Sequence, residues 1–349
     1  MLNDNTILSF ILPCYNVSSY IGACLDSLLV QDIPHEEYEI ICVNDCSIDN
    51  TRDIIQSYQK KYPNIRLIDH ALNSKSGPSR NTGMENARGR YVWFVDADDM
   101  IKPHILSYLL GVCEKDELDE LFFNFDAIND ACEVIHESQK FENSKVVLSG
   151  LEFVHRFFSG RLSDISIIWH QIYRRDFLVD NHFRFPETNM GEDGPFAWRT
   201  VLNAKRVKSV SDVCYRYRHN DRSMTAEIKV KPNPVMLFEK SFIFGKEVIQ
   251  LAEEMGKTDK QIALELKNIA KWHINSFKEP LLDNYSKTDL KKFFQYAQEH
   301  LSVVKYSFSI TYKSNRGFVK SLERGWLCFG CWRIRENCKR KIKSIRSNR

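Results

Sequence analysis

Three carboxylates in four positions, Asp96, Asp98 and Asp99, follow directly on the apolar run 91–95. Carboxylates this close repel one another unless something positive stands between them. A hard divalent cation, Mg²⁺ or Mn²⁺, bound by one or two of them and by substrate phosphates, resolves that repulsion. The same residues also suit a solvated acidic turn, or a helix start in which Asp99 caps the segment opening at Pro103. A second polar cluster, Asn44-Asp45-Cys46-Ser47-Ile48-Asp49-Asn50-Thr51, follows the apolar run 38–43. A carboxylate there can accept a hydrogen bond from a nucleobase N–H, while a helix N-terminus adds its dipole and free amides. Asp45 is the candidate for reading a base. Ordinary helix capping would need only one of Asp45, Ser47, Asp49 or Asn50.

Short apolar strands alternating with helix-length amphipathic stretches would hold these groups, the pattern of a parallel sheet flanked by helices. The spacing predicts strands at 7–12, 38–43, 65–69 and 91–95, and helices at 19–29, 50–61 and 77–87. The last strand has no polar alternation, so both its faces are buried and it is central. Both polar clusters then stand at carboxyl ends of strands, where open α/β sheets place their ligands. Beyond Pro103 the pattern loosens into mixed helices and strands to about Thr225, then turns helical from Pro234 to about His300. Pro232 and Pro234 flank a plausible linker.

The chain has 349 residues, 43% of them hydrophobic, enough for one large domain and an appendage. Its net charge of +3 is unevenly spread, because residues 333–349 hold eight Arg or Lys against Glu336 alone. The remainder is therefore net acidic, which argues against nucleic acid as a partner of the main body and confines attraction to polyanions or membranes to the tail. That tail mixes its basic run with Trp326, Leu327, Phe329, Trp332, Ile334, Ile342 and Ile345, the composition of an interfacial helix. It is expected to make peripheral contact with the inner membrane leaflet. No run reaches the ~18 apolar residues of a spanning helix, and Met1-Leu2-Asn3-Asp4-Asn5 does not resemble a signal peptide, so a cytoplasmic location is expected. The ten Cys lack the spacing of a disulfide framework and read as reduced. Cys328 and Cys331 form a close pair without a second pair at zinc-ribbon spacing.

Two more stretches complete an ordered set with the clusters above: Pro13-Cys14-Tyr15-Asn16, and Asn73-Ser74-Lys75-Ser76-Gly77-Pro78-Ser79-Arg80-Asn81-Thr82-Gly83. Together they resemble the family 2 glycosyltransferases of the GT-A fold, in the right order and spacing over about the first hundred residues. The resemblance implies an α/β catalytic domain with a Rossmann-like, mixed and mostly parallel sheet, and a metal-dependent inverting transfer from a nucleotide-sugar donor. It puts Pro13, Tyr15 and Asn16 where the family packs its nucleoside, and Asp45 where it hydrogen-bonds the base, usually uracil. Asn44 departs from the pattern, since many relatives have a second Asp there. Gly77 and Arg80 match the loop that approaches the donor, with Arg80 able to offset phosphate charge. Asp96 resembles the residue contacting ribose or metal, and Asp98 the metal-coordinating one.

The acceptor hydroxyl also needs a general base. Met190-Gly191-Glu192-Asp193-Gly194 resembles the family's acidic motif at a helix start, which assigns the base to Asp193, with Glu192 as alternative; a helix cap would equally use either acid. The segment 169–177 resembles the family's acceptor-side stretch, and 215–225 its closing strand and basic loop. There Arg218, His219 or Arg222 could reach diphosphate or metal, and His219 is a third candidate ligand beside Asp96 and Asp98. The expected organisation is a catalytic domain at 1–225, with the donor half to about 103 and the acceptor half after it, a helical extension at 226–317 and the basic tail at 318–349. The extension would brace the domain or form a homo-oligomer. Expected partners are a nucleotide-sugar, with UDP favoured by the resemblance, and a glycan or lipid-linked acceptor in surface polysaccharide synthesis. A dinucleotide-dependent oxidoreductase is excluded because no G-x-G-x-x-G follows the first strand. A nucleotidyltransferase would use the same acids and metal, and a non-catalytic nucleotide-sugar-binding or assembly protein would keep the fold while losing the acids.

Overall fold

A computed structural model of the chain describes residues 6–138, 140–158, 165–187, 191–219, 234–276, 286–307 and 312–324, with Phe329, Trp332 and Glu336 beyond them. The chain divides into two compact units, Met1–Asp221 and Arg222–Arg349.

The first unit is built on one mixed sheet ordered β3-β2-β1-β4-β8-β6-β9-β5, with β7 (Val134–Ser138) also paired to β6. Strands β1 (Leu8–Cys14), β2 (Tyr38–Asn44), β3 (Ile65–Asp69) and β4 (Tyr91–Phe94) are mutually parallel. They match the four strands expected from sequence. Beyond β4 the sheet turns antiparallel through β8 (Gln171–Arg174) to β6 (Glu120–Ile128), which then pairs in parallel with β9 (Val207–Arg218). The two-residue β5 (Met100–Ile101) runs antiparallel to β9, directly after the acid cluster.

Strand β4 lies between β1 and β8 and is buried along its whole length, as its unbroken apolar sequence requires. On one face α1 (Ile21–Leu29) sets Ile21, Cys24, Leu25 and Leu28 into a core with Phe10, Leu12 and Trp93. On the other, α3 (Ser76–Asn86) lies hard against β1: a Cβ on Gly83 would stand 2.2 Å from Ile11 Cγ2, so only glycine lets the helix come this close. Helix α2 (Thr51–Gln59) starts where Asp49 Oδ1 accepts the Thr51 N–H at 3.0 Å, so Asp49 provides the side-chain cap.

The second unit is helical among the described residues, including Phe244–Met255, Lys260–Ser276, Lys287–Glu299 and Tyr312–Arg324. Ser286 and Asp289 form a reciprocal capping box at the start of Lys287–Glu299. Its core is aromatic, with Phe238, Phe242, Phe293 and Phe318 all buried. Phe329 and Trp332 belong to that core, 1% and 8% exposed, against Phe294 at 5.4 Å and Phe318 at 4.8 Å between ring centroids. This corrects the reading of the tail's aromatic residues as a lipid-facing stripe: two of them are already spent on internal packing. Trp326, Leu327, Ile334 and the basic run lie outside the described residues, as do Cys328 and Cys331. Among the described residues no helix is long and apolar enough to cross a membrane.

Glu120, the first residue of β6, is fully buried, and burial above all pushes its carboxyl from 4.5 up to about 8. The unfolded chain releases this proton near 4.5 and the folded chain only near 8, so the fold loses stability as pH rises across that window. Glu120→Gln cannot ionise. Its melting temperature relative to wild type should climb by roughly 10 °C between pH 5 and pH 8; a difference that stays constant with pH would contradict a buried, neutral Glu120.

Candidate active site

The loops after β1, β2 and β3 meet at the carboxyl edge of the parallel strands. Asn16, with φ of 52°, accepts the Ile48 N–H through Oδ1 at 2.9 Å and donates its own N–H to Ser47 Oγ at 3.1 Å. Val17 N–H donates to Thr51 Oγ1 at 2.8 Å, and Ser18 N–H to Asp49 Oδ2 at 3.0 Å. The β1 and β2 loops are thus one hydrogen-bonded body, in which Asn16 is a crosslink as well as a candidate nucleoside contact. Pro13 is half-buried at the end of β1, while the Tyr15 ring is 47% exposed and available to a flat ligand.

Asp45 is 2% exposed and already engaged. Its Oδ1 accepts the Ser74 N–H at 2.8 Å and meets His70 Nδ1 at 2.8 Å, and Oδ2 accepts the Lys75 N–H at 2.7 Å. It clamps the segment that enters α3 with Lys75 at φ 78°, a backbone region that favours glycine. Asn44, in place of a second acid, donates to Asp69 Oδ1 at 2.8 Å, and Arg52 pairs with the same Asp69 at 2.9 Å.

The centre of the site is Arg80. From α3 its Nη2 donates to Asp96 Oδ1 at 2.8 Å, and its Nη1 to Asp193 Oδ1 at 2.8 Å and Glu192 Oε1 at 3.0 Å. Ser76 Oγ also donates to Glu192. Asp193, 113 residues beyond Arg80, opens helix α7 (Asp193–Asn203), so one guanidinium joins the end of β4 to the start of that helix. Arg80 itself is 4% exposed, with its guanidinium over the Phe185 ring at 5.4 Å. Burial alone would lower its pKa, but Asp193, Asp96 and Glu192 outweigh that and raise it. In this structure the terminal nitrogens of Arg80 serve carboxylates. Gly77 is buried in the first turn of α3, where an added Cβ would lie 2.7 Å from the Pro186 carbonyl, so it permits close packing.

Asp193 keeps 29% side-chain exposure, yet burial is the main cause that pushes its carboxyl up to about 8, Arg80 opposing while Glu192 and Asp96 add to the rise. A carboxyl that exchanges its proton near neutral pH is suited to general-base work. Asp99 differs from its neighbours. It is 1% exposed, accepts the Tyr215 hydroxyl at 2.6 Å and the Arg218 N–H at 2.6 Å, and burial with the charges of Asp98 and Asp96 holds its pKa well above normal. It is the buried peg of the acidic turn. Arg218, read as a possible phosphate ligand, is instead 4% exposed, donating through Nε to the Asp98 carbonyl at 2.9 Å and through Nη1 to the Asn129 carbonyl at 3.2 Å.

Asp96 and Asp98 remain partly exposed, and two hard carboxylates fit Mg²⁺ or Mn²⁺ when phosphates and water complete the shell. His219 does not join them: among the described residues no three His, Cys, Asp or Glu side chains converge. Its N–H donates to the Ile128 carbonyl at 2.8 Å, one residue past β9, and its side chain is exposed. Arg222 lies outside the described residues. Sequence reasoning missed Ser76, Tyr215 and the Asp45 clamp, since each depends on contacts between distant segments.

Comparison with known proteins identifies the family and the fold. The model of glycosyl transferase family 2 matches residues 9–183, half of the chain. The chain belongs to that family. It is similar to YibD of Escherichia coli (strain K12), named an uncharacterized glycosyltransferase, at 29% identity over 74% of this chain and 73% of that one. It is similar to EpsJ of Bacillus subtilis (strain 168), likewise named, at 33% identity over 65% and 64%. The poly(ribitol-phosphate) beta-N-acetylglucosaminyltransferase TarS of Staphylococcus aureus (strain MW2) is 29% identical over 73% of this chain, which spans only 43% of TarS. The crystal structure of S. aureus TarS 1-349 with UDP-GlcNAc superposes with a TM-score of 0.64 at 22% identity, covering 96% of this chain and 92% of that one. This family 2 chain therefore has the GT-A fold.

Removing the cation at the centre leaves three carboxylates facing one another, Glu192 buried and the other two partly exposed. Arg80→Met should cost about 3 kcal/mol in urea unfolding, and Arg80→Lys less, since an ammonium keeps the charge without the fork. A loss below about 1 kcal/mol for the Met variant would contradict the assignment of Arg80 as the joint between α3, β4 and α7.

Proposed function

We propose that this chain transfers a sugar from a UDP-sugar to a hydroxyl of a glycan or lipid-linked saccharide, with inversion at C1 and with Mn²⁺ or Mg²⁺, in the making of a surface polysaccharide. The observation that carries the proposal is the convergence on Arg80 of Asp96, from the acidic turn, with Glu192 and Asp193. Asp96, suited with a metal to a donor's diphosphate, and Asp193, suited to an acceptor's proton, thereby stand in one group. The family membership supports the reaction class, and UDP-GlcNAc in the TarS structure supports the choice of nucleotide.

In this reading Tyr15 stacks on the base and Asp45, while clamping the 74–75 backbone, offers its remaining acceptor capacity to a base N–H. Asp96 and Asp98 would hold the metal, which when bound supplies positive charge to the diphosphate. Asp193 accepts the proton of the acceptor hydroxyl as that oxygen bonds to C1. The C1–O bond to the diphosphate breaks on the opposite face, and the nucleoside diphosphate leaves with the electron pair. Glu192, tied to both Ser76 and Arg80, is less free to take that proton and instead positions Arg80. Peripheral attachment to an anionic leaflet is assigned to the basic run of the tail, without Phe329 and Trp332.

Calorimetry with UDP-, GDP- and dTDP-sugars, with and without Mn²⁺, tests the donor half. UDP-sugars should bind in a metal-dependent way that Asp98→Ala abolishes, whereas a folded wild type that binds none of them would favour an assembly protein instead. Asp193→Asn should retain donor binding and lose about 10²- to 10⁴-fold in turnover. Unchanged turnover in that variant, or transfer of the nucleotide instead of the sugar, would refute Asp193 as the base.

A further inference from the structure

Side chains alternate along a strand, so the face of β9 that carries Tyr215 also carries Tyr217. Both rings lie nearly parallel to Trp169, Tyr215 at 4.4 Å and 13° and Tyr217 at 5.6 Å and 9°. Trp169 is fixed from other sides: Phe125 meets it edge-on at 4.7 Å, and its carbonyl accepts Trp93 Nε1–H at 2.8 Å. Tyr215 is fully buried with its hydroxyl committed to Asp99 and to the Asp96 N–H. Tyr217 differs on both counts. It is half-buried, and its hydroxyl meets no hydrogen-bond partner among the described residues. Burial first, and then the charges of Asp99, Asp98 and Asp96, raise its pKa, so all three acids lie within electrostatic reach and the phenol stays neutral.

A rigidly backed aromatic ring, partly open to solvent beside carboxylates, is what a pyranose recognises. The electron-rich ring face attracts the C–H face of the sugar, and nearby carboxylates accept from its hydroxyls. We propose that Tyr217, supported by Trp169, is the floor on which the donor's sugar ring stacks, and so a residue that selects the sugar. The inference rests on the nucleotide-sugar reading above: the pyranose joined to the diphosphate is the ring nearest Asp96 and Asp98. Packing onto Trp169 alone would explain a buried Tyr217, but not one left half-open at the acid cluster.

The test compares UDP with UDP-glucose and UDP-GlcNAc, by calorimetry with Mn²⁺, on wild type, Tyr217→Phe and Tyr217→Leu. UDP should bind all three proteins alike. The affinity of the better UDP-sugar relative to UDP should fall about three- to tenfold in Tyr217→Leu and hold in Tyr217→Phe. An unchanged ratio in the Leu variant overturns the proposal, as does equal loss in both variants, which would make the hydroxyl the contact. A wild type that binds no UDP defeats the donor reading itself, and is told apart because no variant is needed to see it. If the Leu variant melts early, saturation-transfer NMR on wild type decides. Irradiating the protein's aromatic protons should saturate the pyranose C–H protons of the bound UDP-sugar, and their silence beside a saturated uridine overturns the stacking.

Discussion

A buried arginine shared among three carboxylates is the constraint around which the first unit is arranged. Arg80 cannot leave Asp96, Glu192 and Asp193 without stranding its own buried charge and that of Glu192. The surroundings sharpen this. Phe185 lies under the guanidinium, Phe196 stacks on Phe185 at 3.8 Å, and Phe94 of β4 meets both edge-on. These rings exclude water from one side, which strengthens each ion pair and raises the Asp193 pKa. A residual negative charge remains once one cation has been divided among three acids, and it is suited to a metal bound with its substrate.

The buried turn beside it answers a different problem. Asp99 lies within the run 96–99 yet has its own partners, the Tyr215 hydroxyl and the Arg218 amide, both from β9. The Arg218 side chain then fastens the Asp98 carbonyl. A strand more than a hundred residues downstream thereby sets the shape of the acidic turn, and Asp96 and Asp98 are presented from it while Asp99 is sealed behind. Asp45 does the same for the entry to α3, holding Ser74 and Lys75 so that Ser76 and Arg80 face the acids.

What the sequence reveals follows from how local each signal is. The four parallel strands and the first three helices are legible because their period and punctuation lie within about ten residues. The acid runs at 96–99 and 192–193 are legible as chemistry, but not their convergence, because the pairing with Arg80 spans more than a hundred residues. Charge type does not reveal burial: Arg80 and Arg218 read as candidates for the diphosphate, and each is 4% exposed, with the terminal nitrogens of Arg80 on three carboxylates. Gly77 reads as a donor-loop residue, and its close approach to Pro186 is not legible in the sequence. In the helical unit Phe329 and Trp332 read as membrane-facing beside a basic run, although composition cannot distinguish a lipid-facing aromatic from a core one.

The central claim is that the Arg80 group works as a sugar-transfer centre with Asp193 opposite the leaving diphosphate. Water can stand in for the acceptor, so the most direct measurement is proton NMR of UDP-α-GlcNAc hydrolysis by the intact chain with Mn²⁺. The first sugar released should be the β anomer, and Asp193→Asn should suppress its release while leaving UDP-GlcNAc bound. Release of the α anomer first, or hydrolysis undiminished in that variant, would contradict the assignment.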